Sequence, residues 1–398
     1  MKLLIYSHFF TPSIGGVELH AMLLATRLST PSVPQMNEAV QVTLVTDTLA
    51  SGFSDSSLPF SVVRRPRLPR LLKLVRQADV VHLEGPSIAP MLFAWFMRKP
   101  LVIEHHGYQS ICPNGLLFVE SSKCVCPGNF MAGRHVQCLR CNSSAGKTRS
   151  LKMWLLTFLR RWLCGRATAN VAVSHHVEKR LQLRSSLTIY NGALESARDE
   201  DKRKSDVPCF AYVGRLVTEK GVDVLLDAAA RLKADGVPFY LKIIGDGPES
   251  QNLQRFAEDR NLNNQVAFTG FLTGEALHDA IEDVSVVVMP SQCEDAAPFA
   301  AIEQMLCGRL VICSEIGGLA EMVGETGLKF PAGDSATLAE LMRKIVQSSG
   351  VARELGQRAR ERALRFFTLD RMITEHITLY RKVVATGPSD RAVAAEIQ

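Results

Sequence analysis

The sequence predicts an α/β protein made of two doubly wound, Rossmann-like domains. Three observations point to this fold. The 398 residues exceed what one compact core usually holds, short β-rich apolar runs alternate with amphipathic helical stretches, and one charged, polar segment divides the chain near its middle. Apolar strands that alternate with helices are typical of a parallel sheet covered on both faces.

Strands are predicted in both halves of the chain. Those of the first half are Lys2–Ser7, Val40–Thr46, Phe60–Val63, Val80–Leu83, Leu101–Glu104, Asn170–Val173 and Thr188–Tyr190. Those of the second half are Phe210–Val213, Leu241–Ile244, Val266–Thr269, Val284–Met289, Leu310–Cys313 and Gly327–Phe330. Two long helices, Val351–Phe366 and Leu369–Val384, follow, and 387–398 is expected to be a loose tail.

The domain boundary is expected at 195–208, which reads ESARDEDKRKSDVP and has the composition of a linker. We therefore predict a first domain over 1–197, with a cysteine-rich insert at about 112–145. A second domain is predicted over 207–365, followed by a final helix over 366–385.

Composition excludes several classes of protein. Hydrophobic residues make up 46% and charged residues 22% of the chain, which is typical of a soluble globular protein and not of a disordered, collagen-like or coiled-coil chain. The N-terminal segment reads as a strand rather than a signal peptide. Ten cysteines without an export signal favour a reducing, cytoplasmic location over a disulfide framework.

Charge is distributed unevenly. Residues 1–205 carry a net charge of +13 and residues 206–398 a net charge of −7. This asymmetry suggests that the first half faces an anionic partner.

Candidate ligand-binding residues lie in the turns that follow strands, because ligands of parallel sheets bind beyond the carboxyl ends of the strands. Gly15 and Gly16, before the first helix, could let backbone N–H groups approach a phosphate, although such a pair often only turns the chain. Gly214 is followed by Arg215 and Lys220 in one loop, which favours an anion between the two cations over solvated surface charges.

Two further turns carry acidic residues. Gly245-Asp246-Gly247 ends a strand and is equally typical of a structural turn and of a ligand wall. Glu294 and Asp295 follow the strand Val284–Met289, and Glu303 then lies on an otherwise apolar helix predicted over Ala297–Leu306. Ribose hydroxyls could satisfy a carboxylate there, but Glu303 could equally point to water.

Taken together, these loops resemble the retaining nucleotide-sugar glycosyltransferases of family 4, which have the GT-B fold. The resemblance spans about residues 1–385 and includes Leu101–Gly107, Val173-Ser174 and Asn191-Gly192. It implies two domains that face each other across a cleft, with the last helix crossing back to the first domain. A hexose-type sugar would move from a UDP- or GDP-linked donor to a glycan or lipid-linked acceptor in cell-surface polysaccharide or glycolipid synthesis.

The resemblance also implies roles for individual residues. Gly15 and Gly16 would face the donor diphosphate, and Arg215 and Lys220 would neutralise it without a divalent metal. Glu303 would bind the donor ribose, and His106 would lie beside the reacting sugar. Asp295 would contact the sugar hydroxyls, with Glu294 as the alternative. The loops that bind the donor would include Gly214, Gly245, Asp246 and Gly247.

Other readings stay open at this stage. A nucleotide-sugar epimerase of the same fold class is one alternative. A non-catalytic nucleotide-sugar-binding scaffold is another, because Asp295 stands where the family has Glu. No nucleic-acid partner is expected.

The cysteine-rich insert suggests a structural metal site. Cys124-x-Cys126 and Cys138-x2-Cys141 have the spacing of a four-thiolate zinc site, although C-x-C is less usual than C-x2-C. Ordinary reduced thiols are the alternative, and no catalytic role is expected, since four thiolates leave no open position.

A basic amphipathic helix follows the insert. Residues 121–177 contain nine Lys and Arg and no Asp or Glu, and they include an apolar stripe of Trp154, Leu155, Phe158, Leu159 and Trp162. The stripe alone is more typical of a helix packed on its sheet. The charge favours peripheral binding to an anionic membrane surface.

Overall fold

The structure, a computed structural model, describes residues 1–30, 40–141, 146–195 and 207–386. Contacts between residues divide them into two compact units. The first unit comprises 1–117, 127–192 and the chain from 369 onward, and the second comprises 118–126 and 193–368. Most of the predicted linker, 196–206, and the predicted tail, 387–398, lie outside the described residues.

The first unit is built on a parallel sheet. The strands in the first half of the chain are β1 (Lys2–Ser7), β2 (Gln41–Thr46), β3 (Ser61–Arg64), β4 (Val80–Glu84), β5 (Leu101–His105), β6 (Phe118–Val119), β7 (Cys124–Val125), β8 (Ala169–Ala172) and β9 (Ser186–Thr188). Seven of them form the sheet in the order β3-β2-β1-β4-β5-β8-β9, and every pair in it is parallel. The other two, β6 and β7, pair as a short antiparallel hairpin that belongs to the second unit.

Helices cover both faces of this sheet. The helices of this unit are α1 (Gly16–Ser29), α2 (Leu68–Gln77), α3 (Ile88–Phe96), α4 (His135–Cys141), α5 (Lys147–Cys164), α6 (His175–Leu181) and the last helix of the described chain, α14 (Leu369–Thr386). Because neighbouring residues of a strand face opposite ways, Leu3 and Ile5 pack with α1 and α14, whereas Leu4 and Tyr6 pack with α2, α3 and α5.

The second unit repeats the plan. Its strands are β10 (Cys209–Val213), β11 (Tyr240–Ile244), β12 (Val266–Gly270), β13 (Val286–Met289), β14 (Leu310–Ser314) and β15 (Leu328–Phe330). Its helices are α7 (Val222–Ala234), α8 (Ser250–Asp259), α9 (Gly274–Ile281), α10 (Phe299–Leu306), α11 (Gly317–Val323), α12 (Ser335–Gln347) and α13 (Ser349–Phe366). The sheet is parallel, in the order β12-β11-β10-β13-β14-β15.

The predicted fold class, two parallel-sheet α/β domains, is confirmed, and each predicted strand overlaps an observed one. The predicted strand Thr188–Tyr190 is wrong by two residues, since β9 ends at Thr188. Helix α10 begins at Phe299 rather than Ala297, because a residue before proline is disfavoured in helical conformation and Pro298 itself is extended.

Candidate active site

The loops that follow β10, β11 and β13 touch one another through their backbones. A Cβ on Gly245 would lie 1.8 Å from the carbonyl oxygen of Gly214, and one on Gly221 would lie 2.1 Å from that of Pro290. Both glycines have positive φ, +144° and +64° respectively. Only glycine fits either position, so these residues hold the strand-end loops in one fixed arrangement.

Lys220 and Asp295 meet within this arrangement. The Nζ of Lys220 donates to one carboxylate oxygen of Asp295, and the hydroxyl of Ser291 donates to the other. Burial would lower the pKa of Lys220, but the Asp295 carboxylate outweighs burial and raises the pKa above its ordinary value. Lys220 is therefore a cation that a carboxylate already compensates.

The other charged residues of these loops differ in exposure. The side chain of Arg215 is 64% exposed, and its guanidinium lies 3.9 Å from Glu219, so most of it faces solvent. Asp246 is exposed and accepts a hydrogen bond of 2.7 Å from the backbone N–H of Gly247, which closes its own turn. Glu294 is half-buried.

Glu303 lies in the second turn of α10, a helix whose Ala301, Ile302 and Met305 are fully buried. Its side chain is half-buried, and its carboxylate has no hydrogen-bonding partner among the described residues. Burial raises the pKa of Glu303 to about 7. A half-buried carboxylate that lacks a hydrogen-bonding partner in the protein can accept hydrogen bonds from a ligand.

In the first unit, Gly15 and Gly16 form the turn from β1 to α1. Gly16 is the first residue of the helix, and Gly15 is extended, with a φ of −178°. The carboxylate of Glu18 lies against this turn, where it accepts a hydrogen bond of 3.0 Å from Ser13.

His106 borders a buried cluster of imidazoles and carboxylates. Its Nε2 donates to Glu84 at 2.6 Å, and its side chain is 9% exposed. Both ring nitrogens of His20 face carboxylates, Nδ1 at 3.0 Å from Glu84 and Nε2 at 3.1 Å from Glu104. His20, Glu84 and Glu104 are fully buried side chains.

Helix α14 completes the cluster. Nε2 of His376 lies 2.9 Å from Glu104, and its Nδ1 donates to the carbonyl of Met372 at 2.8 Å. The hydroxyl of Tyr380 lies 3.0 Å from Nδ1 of His82. The cluster therefore joins the ends of β4 and β5 to helices α1 and α14.

The cluster is ionic. Burial would raise the pKa values of Glu84 and Glu104, but His20, helped by the other histidines, outweighs it and holds both pKa values well below the usual range. Burial would likewise lower the pKa of His20, yet the two carboxylates raise it well above its ordinary value. His20 is thus a buried imidazolium between two carboxylates.

A metal ion could use donors at this spacing, since atoms of His20, Glu84, Glu104 and His106 lie within 4.8 Å of one another. These groups already contact one another, however, and both ring nitrogens of His20 face carboxylates. Neither nitrogen of His20 therefore points at an open position where a metal ion could bind. We therefore interpret the cluster as a network of ion pairs and hydrogen bonds.

The sequence did not single out these buried partners of His106. A signal existed, because His82 and Glu84 alternate on one face of β4 and Glu84 pairs in register with Glu104 of β5. Two carboxylates side by side at the ends of buried strands indicate a cluster of charge-compensating partners, because a buried carboxylate is costly without them.

The predicted zinc ligands are divided between the two units. Cys124 and Cys126 belong to the second unit, and Cys138 and Cys141 to the first. Neither unit alone contains all four thiols, so the zinc site stays a prediction.

Helix α5 buries its predicted apolar stripe only in part. Its buried residues are Ser150, Thr157, Leu163 and Cys164. Leu155, Phe158 and Trp162 are instead 54%, 42% and 41% exposed. Trp154, by contrast, is half-buried, and Leu159 packs against the core of the first unit. The stripe is therefore a packing face only in part.

Comparison with known protein families decides the identity of both units. Residues 14–192 match the family described as Glycosyltransferase Family 4, and residues 195–362 match the family described as Glycosyl transferases group 1. The chain belongs to the family 4, group 1 glycosyltransferases.

Curated relatives of this glycosyltransferase match over part of their length. Alpha-D-kanosaminyltransferase of Streptomyces kanamyceticus is 26% identical over 180 residues, which are 45% of this chain and 46% of the relative. O-antigen chain mannosyltransferase C of Escherichia coli is 31% identical over 175 residues, 43% of this chain and 46% of the relative. The chain thus spans less than half the length of these relatives.

Solved structures with the same fold cover nearly the whole glycosyltransferase. Anabaena Alr3699/HepE in complex with UDP has a TM-score of 0.71 at 18% identity and covers 95% of this chain and 99% of its own. Sucrose-phosphate synthase from Thermosynechococcus elongatus has a TM-score of 0.69 at 20% identity, with coverages of 97% and 100%. These similarities confirm the predicted GT-B fold.

Within the described ranges of the glycosyltransferase, no helix is both long enough and apolar enough to cross a membrane.

Proposed function

We propose that this glycosyltransferase moves a hexose-type sugar from a nucleotide diphosphate sugar to a glycan or lipid-linked acceptor, with retention at the anomeric carbon and without a catalytic metal. The observation that carries the proposal is the half-buried carboxylate of Glu303, which has no partner among the described residues and a pKa raised to about 7. The two hydroxyls of a donor ribose would supply the hydrogen bonds that this carboxylate needs.

Cations in the second unit support a diphosphate donor. The guanidinium of Arg215 is mostly exposed, and Lys220 is a cation held by Asp295. A diphosphate would attract both cations and would compete with Asp295 for Lys220. Charge that develops on the leaving phosphate would then be stabilised by groups already in place.

The roles of the remaining donor-binding and catalytic residues are proposed from their positions in the family's motifs. Asp295 would contact the transferred sugar once the diphosphate takes Lys220, and Glu294 is the alternative. His106 would lie beside the reacting sugar, with Gly15 and Gly16 as donor contacts. The complexes of HepE with UDP and with UDP-glucose make UDP-glucose the first donor to test.

The decisive experiment is a thermal-shift panel of UDP- and GDP-sugars, followed by product analysis with glycan and lipid acceptors. A ligand at 100 times its Kd stabilises a protein by about 2.7 kcal/mol, which is easily detected. A transferase releases free nucleotide and forms a glycoside whose anomeric proton coupling matches the donor. Altered sugar on an intact nucleotide would indicate an epimerase, and binding without turnover would indicate a scaffold.

We also propose that the enzyme binds the surface of an anionic membrane through α3 and α5. Phe96 and Trp95 of α3 are 72% and 39% exposed, and the rings of Trp95 and Trp162 lie 5.2 Å apart, so the exposed apolar residues of the two helices are continuous. The guanidinium of Arg166 lies 3.6 Å from the Trp162 ring, and Lys152 is exposed. Aromatic residues bordered by cations are typical of interfacial helices.

Vesicle sedimentation tests this second proposal. Each basic residue near an anionic surface contributes about 1 kcal/mol, so Lys152→Glu should weaken binding to phosphatidylglycerol vesicles about tenfold or more. Lys344→Glu makes the same charge change at an exposed position of the second unit and should have no such effect. Equal binding to neutral vesicles, or binding that salt does not weaken, would refute the electrostatic contact.

A further inference from the structure

The cluster of imidazoles and carboxylates in the first unit places several charged side chains in the protein interior, where charge is costly. Its fully buried ionisable side chains include His20, Glu84, Glu104 and His376. Replacing a whole buried ion pair or triad by well-packed apolar residues is often neutral or stabilising in other proteins, because desolvation offsets most of the attraction. A buried network of this kind at the end of strands is therefore a candidate for a functional role.

The network has one partly accessible member. His106 is 9% exposed, whereas the side chain of Glu84 behind it is fully buried. The 2.6 Å contact joins Nε2 of His106 to Oε2 of Glu84, and the same oxygen lies 3.0 Å from Nδ1 of His20. Since a carboxylate only accepts hydrogen bonds, both ring nitrogens facing it carry protons.

The hydrogen bond to Glu84 determines which nitrogen of His106 faces the cluster and how its ring is oriented. Its Nε2 proton is committed to Glu84, so Nδ1 is the nitrogen left to meet a ligand. Glu84 itself cannot turn away, because Nδ1 of His20 lies 3.0 and 3.1 Å from its two oxygens. The ring plane of His106 is further limited by edge-on contact with His20 at 4.8 Å between ring centroids.

We propose that Glu84 is a positioning residue for His106, whose ring orientation and proton position it sets through the 2.6 Å hydrogen bond. This inference rests on the proposed function, in which His106 lies beside the reacting sugar. Orienting carboxylates of this kind act through the histidine and do not touch the substrate.

Glu84→Gln tests the proposal, and Glu104→Gln is its matched control. Both variants remove a buried carboxylate that contacts His20, but only Glu84 contacts His106. We expect both to lower the melting temperature by similar amounts. Only Glu84→Gln should lower kcat for transfer from UDP-glucose, by about 10- to 100-fold, with little change in donor KM.

A double-mutant cycle separates positioning from a structural role. If Glu84 acts through His106, Glu84→Gln should change kcat less than about twofold in a His106→Asn background. Equal losses of kcat in both backgrounds, or a loss in Glu104→Gln as large as in Glu84→Gln, would overturn the proposal.

Histidine ring NMR gives a readout that does not depend on activity. The Nε2 proton of His106 should appear as a downfield, slowly exchanging signal that His106→Asn removes. Glu84→Gln should shift it upfield, and Glu104→Gln should leave it in place. If no donor is bound or turned over, the proposed function fails, whereas an unchanged signal in Glu84→Gln refutes the role of Glu84.

Discussion

Glu303→Gln is the perturbation that tests the donor site most directly. With a pKa of about 7, about half of the Glu303 carboxyls are protonated at pH 7. Hydrogen bonds donated by ribose hydroxyls favour the ionised form and lower the pKa. Binding of UDP-glucose at pH 7 should therefore release about half a proton per molecule bound.

Calorimetry in buffers with different ionisation enthalpies measures this proton release. UDP-glucose suits the assay because each of its two phosphoryl groups has a single, strongly acidic ionisation and therefore stays ionised near pH 7. Gln cannot ionise, so Glu303→Gln should abolish the release. It should also weaken binding by at least about tenfold, since a hydrogen bond to a charged group contributes about 1.5–3 kcal/mol. Equal proton release in the two proteins, or equal affinity, would refute the assignment of Glu303 to the ribose.

The same carboxyl predicts how stability depends on pH. The pKa of Glu303 is raised in the folded protein from 4.5 to about 7, so the unfolded chain releases its proton first as the pH rises. Stability should therefore fall between about pH 4.5 and 7, by about 3 kcal/mol when the change is complete. Urea unfolding at pH 5 and pH 8 should show this loss in the parent protein and not in Glu303→Gln.

Other loop residues of the second unit give further predictions. Arg215→Ala should weaken UDP-glucose binding about tenfold or more without lowering the melting temperature; unchanged affinity would exclude a diphosphate contact. Lys220→Ala should weaken binding and also destabilise the fold, because Asp295 loses its cation, and thermal unfolding with and without ligand separates the two effects. Asp295→Asn should lower kcat more than Glu294→Gln does in transfer assays, and the reverse order would show that Glu294 contacts the sugar. Gly245→Ala should lower the free energy of unfolding in urea by about 2 kcal/mol or more, since its Cβ has no space beside Gly214; a neutral effect would contradict the close contact of the loops.

The order of strands and helices could be predicted because apolar strands and amphipathic helices have different periods. Strand β14, Leu310–Ser314, is an uninterrupted buried run that periodicity identifies directly. The hairpin Phe118–Val125 was missed, since two strands of two residues each carry no alternation. Helix α5 was identified, but periodicity could not show which of its faces the neighbouring helices would cover.

The candidate site was predictable only in part. Glu303 stood out as a single acid on an apolar helix, and the strand-end glycines marked the loops. The Lys220–Asp295 ion pair joins residues 75 positions apart in different loops, and the link from Glu104 to His376 joins residues 272 positions apart. Local sequence patterns contain no information about pairs that only the sheet order brings together.

The assignment of α14 to the first unit has a consequence for how the chain is made. The polypeptide leaves the first unit after Gly192 and returns at Leu369, so the whole second sheet is synthesised in between. Domains generally fold as units during synthesis, at about 5–20 residues per second. Until α14 emerges from the ribosome, the core of the first unit lacks the apolar residues that α14 contributes to it, and Glu104 lacks His376. The second unit, although later in the sequence, can therefore finish folding first, and the nascent first unit must wait several seconds or longer with an open apolar face.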